Sequence, residues 1–241
     1  MDIFDKVKTF YNQFQGKKQV IGKSVLGMPI FAFTVSKTPF PKIIAQYSMH
    51  AREYITTFLA LKQIEQFNVC GKVGTVHFIP LVNPDGVNIA SAENPLYKAN
   101  GRGVDLNVNF DALWGQGKTN LTIKGDSNYI GEYPFSEPES VALRDFTLKV
   151  MPTVTLSYHS KGEEIYYEFY QTESQKLRDY SLAKAVKRVT GYQIKSTPNS
   201  CGGYKDWCLE HFSPPSITIE VGNDKFSHPI DKRYTDEIFV K

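Results

Sequence analysis

The chain has few cysteines, no long apolar run and no block of like charge, and each shortage argues against a class of function. Its three cysteines, Cys70, Cys201 and Cys208, form no CxxC pair, which argues against a disulfide framework or a cysteine-based zinc site and fits a reducing cytoplasm. No stretch reaches the roughly 18 consecutive apolar residues that a membrane span requires. The opening MDIFDKVKTFYNQF interrupts its apolar residues with charge and so does not read as a signal peptide. No membrane partner is expected. The net charge of +3 comes from scattered basic residues, without the Lys/Arg stripe that nucleic acid demands. Repeats, low-complexity tracts and Pro/Gly/Ser linkers are also missing, so residues 1–241 are expected to form a single domain. With 41% hydrophobic and 22% charged residues, the chain can bury one sizeable core and is not expected to be disordered.

Apolar residues at helical spacing from Ile3 to Phe14 predict an amphipathic first helix. Two β-prone runs, 19–25 and 29–35, flank Leu26-Gly27-Met28-Pro29 and predict a hairpin. The pattern then alternates: strand 42–47, helix 54–67, strand 74–79, helix to Val150, strands 153–158 and 165–169, helix 174–189 and strand 216–221. Asn83-Pro84-Asp85-Gly86 reads as a turn. Ser136 reads as the N-cap of the helix ending at Val150, with Pro138 in its first turn and Glu139 as the capping-box acid. Alternation with near-continuous apolar strands predicts an α/β/α sandwich around a mixed, mostly parallel twisted sheet. From about Asn88 to Tyr133 periodicity is lost, and so long an irregular stretch in a compact domain generally builds a site. In such sheets ligands bind beyond the carboxyl ends of the strands.

Four residues carry chemistry to that edge. His50-Ala51-Arg52-Glu53 follows strand 42–47 directly, and an imidazole and a carboxylate at this spacing can turn toward one cation. Taken alone, the pair is a weak signal and reads first as a surface histidine and a helix-start glutamate beside the dipole. His159 closes a second apolar strand. Glu220 lies within SITIEVG, an apolar strand where an unpaired carboxylate is costly. Two histidines and a glutamate suit a catalytic Zn²⁺, which takes three protein ligands and leaves one position open. His77, within TVHFIP, reads as a hydrogen-bonded sheet residue, and His211 and His228 as solvated.

In this order the residues resemble the zinc carboxypeptidase family of carboxypeptidase A-like metallopeptidases. His-x-x-Glu is followed by Gly103-Val104-Asp105-Leu106-Asn107, a strand-borne His159 and a late-strand Glu220. Asn83-Pro84-Asp85-Gly86, Gly202-Gly203-Tyr204-Lys205-Asp206-Trp207 and Ile219-Glu220-Val221-Gly222 also match. The resemblance implies one Zn²⁺ per chain held by His50, Glu53 and His159, with Glu220 as general base and Asn107 touching substrate. YKANGRGVDLN, HAREYIT and GGYKDW look most like the bacterial branch of murein peptide amidases and γ-D-glutamyl-diamino acid peptidases. That likeness implies a cell-wall-derived peptide substrate.

Departures from the family pattern bear on specificity. The family's Arg after the Asn, which clamps a substrate's terminal carboxylate, is Val108 here, and valine makes no ion pair. The family's Tyr before the Gly-Gly pair has no counterpart; Pro198 lies near its place. The oxyanion-stabilising Arg aligns with Lys98, while Arg102 lies four residues on, and either could supply the charge. Arg52, Lys98 or Arg102 could engage charged groups of a diamino acid instead of the missing clamp. Two rival readings are an N-acyl amino acid deacylase of the aspartoacylase type and a non-catalytic binding module. GVDLN and GGYKDW favour a peptidase over the first, and Glu220 in an apolar strand argues against the second.

Overall fold

The protein is described from a computed structural model covering residues 2–125 and 127–241. Helix α1 (Ile3–Gln13) starts at Asp2, whose carboxylate accepts the Phe4 N–H, and it buries Ile3, Phe4 and Val7. Strands β1 (Lys17–Lys23) and β2 (Pro29–Ser36) form the expected antiparallel hairpin. Next come β3 (Lys42–Tyr47), a 3₁₀ turn at Ala51–Glu53, α2 (Ile55–Cys70) and β4 (Thr75–Ile79), close to the bounds periodicity predicts.

Asn83-Pro84-Asp85-Gly86 is not a free turn but the start of α3 (Pro84–Ala92). The Asn83 side chain accepts the Gly86 N–H at 3.0 Å, and Pro84 falls where no donor is needed. Turn and cap use the same residue types, so local sequence alone does not separate them. In α4 (Pro138–Val150) the N-cap is Glu137, not Ser136. Ser136 Oγ is drawn off to Asn109 and Glu137, and Glu139 accepts the Val25 N–H instead of closing a capping box. Strand β5 (Val154–Ser160) runs two residues past its expected end and so includes His159. Strand β6 (Glu164–Tyr166) is shorter than expected. Helix α5 (Glu173–Thr190) is closed by a Thr172–Gln175 capping box. Strand β7 (Gln193–Ile194), α6 (Tyr204–His211), β8 (Ser216–Val221) and α7 (Thr235–Phe239) complete the described chain. Strand β7 and helices α6 and α7 are too short to carry a readable period.

The strands form one mixed sheet in the order β1-β2-β4-β3-β5-β8-β6-β7. Its centre, β4-β3-β5-β8, is parallel, and β2 and β6 join it antiparallel. Side chains alternate between faces: Ile44 packs with α4 and α6, while Ala45 and Tyr47 pack with α1 and α2. A third cluster sets Ile217 and Ile219 of β8 against α5 and α7. Helices therefore cover both faces, as a largely parallel sheet requires. Among the described residues no helix is long and apolar enough to cross a membrane.

The irregular stretch after α3 is organised by buried polar side chains that stand in for backbone partners. Asn100 Oδ1 accepts the N–H groups of Arg102 and Val104, each at 3.0 Å. Asp105 accepts from Asn107 N and Asn128 N, and Asn109 Nδ2 donates to the Ile130 carbonyl.

Candidate metal centre

Three adjacent parallel strands deliver chemistry to one edge: β3 leads into His50, β5 carries His159 and β8 carries Glu220. The 3₁₀ turn after β3 brings Glu53 back beneath His50. His159 and Glu220 are register partners, so both side chains leave the same face.

His50 Nδ1 lies 2.8 Å from Glu53 Oε1, and His159 Nδ1 lies 3.0 Å from both Glu53 Oε2 and His50 Nδ1. All three side chains are buried, and their donor atoms lie within 4.8 Å of one another. Two imidazole nitrogens at 3.0 Å repel unless one carries a proton or both lone pairs share a cation. A carboxylate facing both nitrogens favours the cation. On the outer side, His50 Nε2 meets Asp105 Oδ1 at 3.3 Å. The two are within ion-pair distance, although Nε2 makes no well-aligned hydrogen bond; with a cation on Nδ1, an Nε2–H turned toward this carboxylate is the usual arrangement of a metal-ligating histidine. The donor set of two nitrogens and a carboxylate fits Zn²⁺.

The charges agree with this geometry. Burial opposes ionisation of Glu53, yet His50 and His159 hold its carboxyl well below the ordinary range. Burial likewise opposes protonation of His50, while Glu53 and Asp105 raise its pKa. Lys98 and His50 overcome burial at Asp105 and keep it ionised. Burial, and then repulsion from Glu53, push Glu220 up to about 8. Glu220 is only half-buried, so a water or substrate can reach it.

The other expected residues separate. Lys98 Nζ pairs with Asp105 Oδ2 at 2.8 Å and reaches the histidine cluster through that carboxylate. Arg102 turns away to Glu137 Oε1 at 3.7 Å with a side chain 52% exposed. Asn107 Oδ1 accepts the Tyr204 N–H at 3.3 Å, which ties it to the start of α6. Val108 is buried, with its carbonyl against Gly202. Arg52 sits half-buried between His50 and Glu53 in sequence, and its Nε has no partner. His77 is the sheet residue the sequence suggests: its Nδ1 meets Thr34 Oγ1 at 2.9 Å, and burial lowers its pKa to about 4.

Two contributors escape a reading by residue type. Asp105 was visible only as part of GVDLN, without a role. His228, expected in solvent, is half-buried, has an unpartnered Nδ1 and lies within electrostatic reach of Glu53, Arg52, Lys161 and His50.

The sequence profile described as zinc carboxypeptidase matches residues 3–237. γ-D-Glutamyl-L-diamino acid endopeptidase 1 of Lysinibacillus sphaericus is 31% identical over 268 aligned positions, covering 96% of this chain and 66% of that protein. Murein peptide amidase A of Escherichia coli K12 is 28% identical over 148 positions, covering 57% of each. The chain thus spans just under two thirds of the first of these relatives and less of the second. Among solved structures, bovine thrombin-activatable fibrinolysis inhibitor bound to tick carboxypeptidase inhibitor superposes with a TM-score of 0.85 at 21% identity, covering 99% of this chain and 92% of that one. At that identity the likeness speaks for the fold alone.

Proposed function

The chain belongs to the zinc carboxypeptidase family, and from that premise we propose that it hydrolyses the amide bond between a γ-D-glutamyl residue and a diamino acid in murein peptides. The observation that carries the choice is Val108. A protease trimming ordinary free C-termini would leave the terminal carboxylate beside this buried valine, at a cost of several kcal/mol for an unpaired charge. The relative that covers nearly the whole chain bears the name of a γ-D-glutamyl-L-diamino acid endopeptidase, which supports the same choice.

In this mechanism His50, Glu53 and His159 hold one Zn²⁺. When bound, the ion supplies a Lewis acid and brings the pKa of its water to about 7. Asp105 keeps the His50 ring turned inward. The Glu220 carboxylate takes the proton of the attacking water and returns it to the leaving amine. Lys98, anchored by Asp105, offers positive charge to the developing oxyanion; Arg102, paired with Glu137, does not. Asn107 gives its Oδ1 to Tyr204 N and keeps its amide N–H₂ for the substrate. We read the chain as one catalytic domain and place it in the cytoplasm, a setting suited to its three free cysteines.

The test is the ratio of kcat/KM for a murein tripeptide against a matched hippuryl-type C-terminal substrate. We expect the murein peptide to win by several powers of ten. Preference for the hippuryl substrate would instead indicate a carboxypeptidase with its clamp relocated. Preference for N-acyl amino acids would indicate a deacylase of the aspartoacylase type.

A further inference from the structure

Three basic side chains stand around the ligand set on segments other than those holding Asn107. Arg52 lies in the 3₁₀ turn between two ligands. Lys161 follows His159 by two residues, where β5 has just ended. His228 lies in the loop after β8, and that loop is tied to the Lys161 turn: Gly162 N donates to Gly222 O at 2.8 Å, and Lys161 Nζ donates to Asp224 O at 3.0 Å. Ser160 N donates to Glu53 Oε2 at 3.3 Å, which ties the same turn to the ligand carboxylate.

These groups hold donors in reserve. Among the described residues no carboxylate pairs with Arg52, and its Nε is buried without a partner. His228 Nδ1 is likewise buried and unpartnered. Lys161 Nζ spends one N–H on the Asp224 carbonyl at 3.0 Å and meets the Asp224 carboxylate at 3.4 Å, with that side chain 74% exposed and easily displaced. All three residues are half-buried, open to a ligand yet shielded enough that an ion pair made there is stronger than one in free solvent. His228 lies within electrostatic reach of both Arg52 and Lys161, and even a neutral imidazole donates one N–H.

An unpaired basic cluster beside a hydrolytic centre calls for an anion on the substrate. Asn107 is tied to α6, on the wall that the leaving residue is expected to face. The trio occupies other segments and therefore suits the acyl side. A γ-linked glutamyl residue differs from an α-linked one in carrying a free α-carboxylate on the acyl side of the scissile amide. We propose that Arg52, Lys161 and His228 form a carboxylate-binding subsite that selects this free α-carboxylate, so that the enzyme reads the γ-linkage through its charge. The inference rests on the γ-D-glutamyl reading above and names the residues that enforce it.

The test uses two γ-D-glutamyl-diamino acid peptides, one with the α-carboxylate free and one with it converted to a primary amide. The zinc-loaded protein prefers the free acid by about 10- to 100-fold in kcat/KM, the range of a charge-assisted hydrogen bond. In Lys161→Gln and His228→Gln, checked for unchanged zinc content, that preference shrinks toward one, mainly through KM. Equilibrium binding of both peptides to the Glu220→Gln protein, which should bind but turn over slowly, repeats the comparison without turnover. Equal cleavage of acid and amide by the unaltered protein, or an undiminished preference in both variants, overturns the subsite and leaves the γ-glutamyl reading intact. Cleavage of neither peptide, with cleavage of an α-linked one, overturns both.

Discussion

Asp105→Asn perturbs the proposed metal site without replacing His50, Glu53 or His159. The Asp105 carboxylate is fully buried and serves four donors. Oδ1 faces His50 Nε2 at 3.3 Å and Asn107 N at 3.0 Å; Oδ2 faces Lys98 Nζ at 2.8 Å and Asn128 N at 3.2 Å. An asparagine has one oxygen. If it stays with His50 and Asn107, the new N–H₂ group points at an ammonium and a backbone N–H. If it turns to Lys98, the amide donor meets the His50 N–H and unsettles the ring's tautomer. Either way Lys98, only 17% exposed, loses its counter-charge. Breaking a buried pair in this manner costs about 3–5 kcal/mol, and the partial exposure of Lys98 favours the lower end. For the metal, loss of an orienting partner usually weakens affinity about 10- to 100-fold. Zinc affinity measured against a competing chelator should fall by that factor, and urea unfolding of the metal-free variant should report a loss of about 3 kcal/mol. Zinc affinity within twofold of the original protein would refute the claim that Asp105 orients His50.

His159→Ala should abolish stoichiometric zinc binding, because a three-ligand site rarely survives the loss of one; metal analysis showing one zinc per chain would sink the ligand assignment. Glu220→Gln should keep its zinc and its fold while hydrolysis drops by at least about 10²-fold, and near-normal turnover would place the proton acceptor elsewhere. Glu139, buried beneath Val25 N and Asn100 Nδ2, is pushed up to about 7 chiefly by burial. Its folded pKa exceeds the unfolded one, so the native state binds the extra proton and this group's contribution to stability falls as pH rises from about 4.5 toward 7. A carbon-13 titration of its carboxyl should show a midpoint near 7, and a midpoint below 5 would contradict the burial argument.

The central strands were legible because burial on both faces writes itself as unbroken apolar sequence: β3 and β8 occupy the stretches KIIAQY and SITIEV. Boundaries failed where tertiary partners outbid local chemistry. Ser136 has every attribute of an N-cap, but Asn109 and Glu137 take its hydroxyl, and the helix starts one residue later without a capping side chain. Asn83 shows the converse, a turn-like tetrapeptide that folds as a cap because Pro84 and the Gly86 N–H complete the first helical turn.

The choice between Lys98 and Arg102 shows why spacing runs out as a guide to a site. Both are cations in one irregular segment, and nothing in YKANGRG ranks them. The decision is made by Asn100, a residue with no catalytic attribute. Its carboxamide oxygen gathers the Arg102 and Val104 N–H groups, and its Nδ2 donates to Glu137 and Glu139. That network bends the chain so that Arg102 leaves toward Glu137 while Asp105 turns inward to take both Lys98 and His50. Exchanging Asn100 for Asp should therefore do more than remove a surface loop contact. A third carboxylate would then face Glu137 and Glu139 with no N–H₂ group to bridge them, and the turn that presents Asp105 would loosen. Lys98 and the His50 ring depend on Asp105, so zinc affinity should fall although Asn100 touches neither the ligands nor the base. A chelator titration in which Asn100→Asp binds zinc as tightly as the original protein would show that the 100–105 turn is held by something other than this side chain.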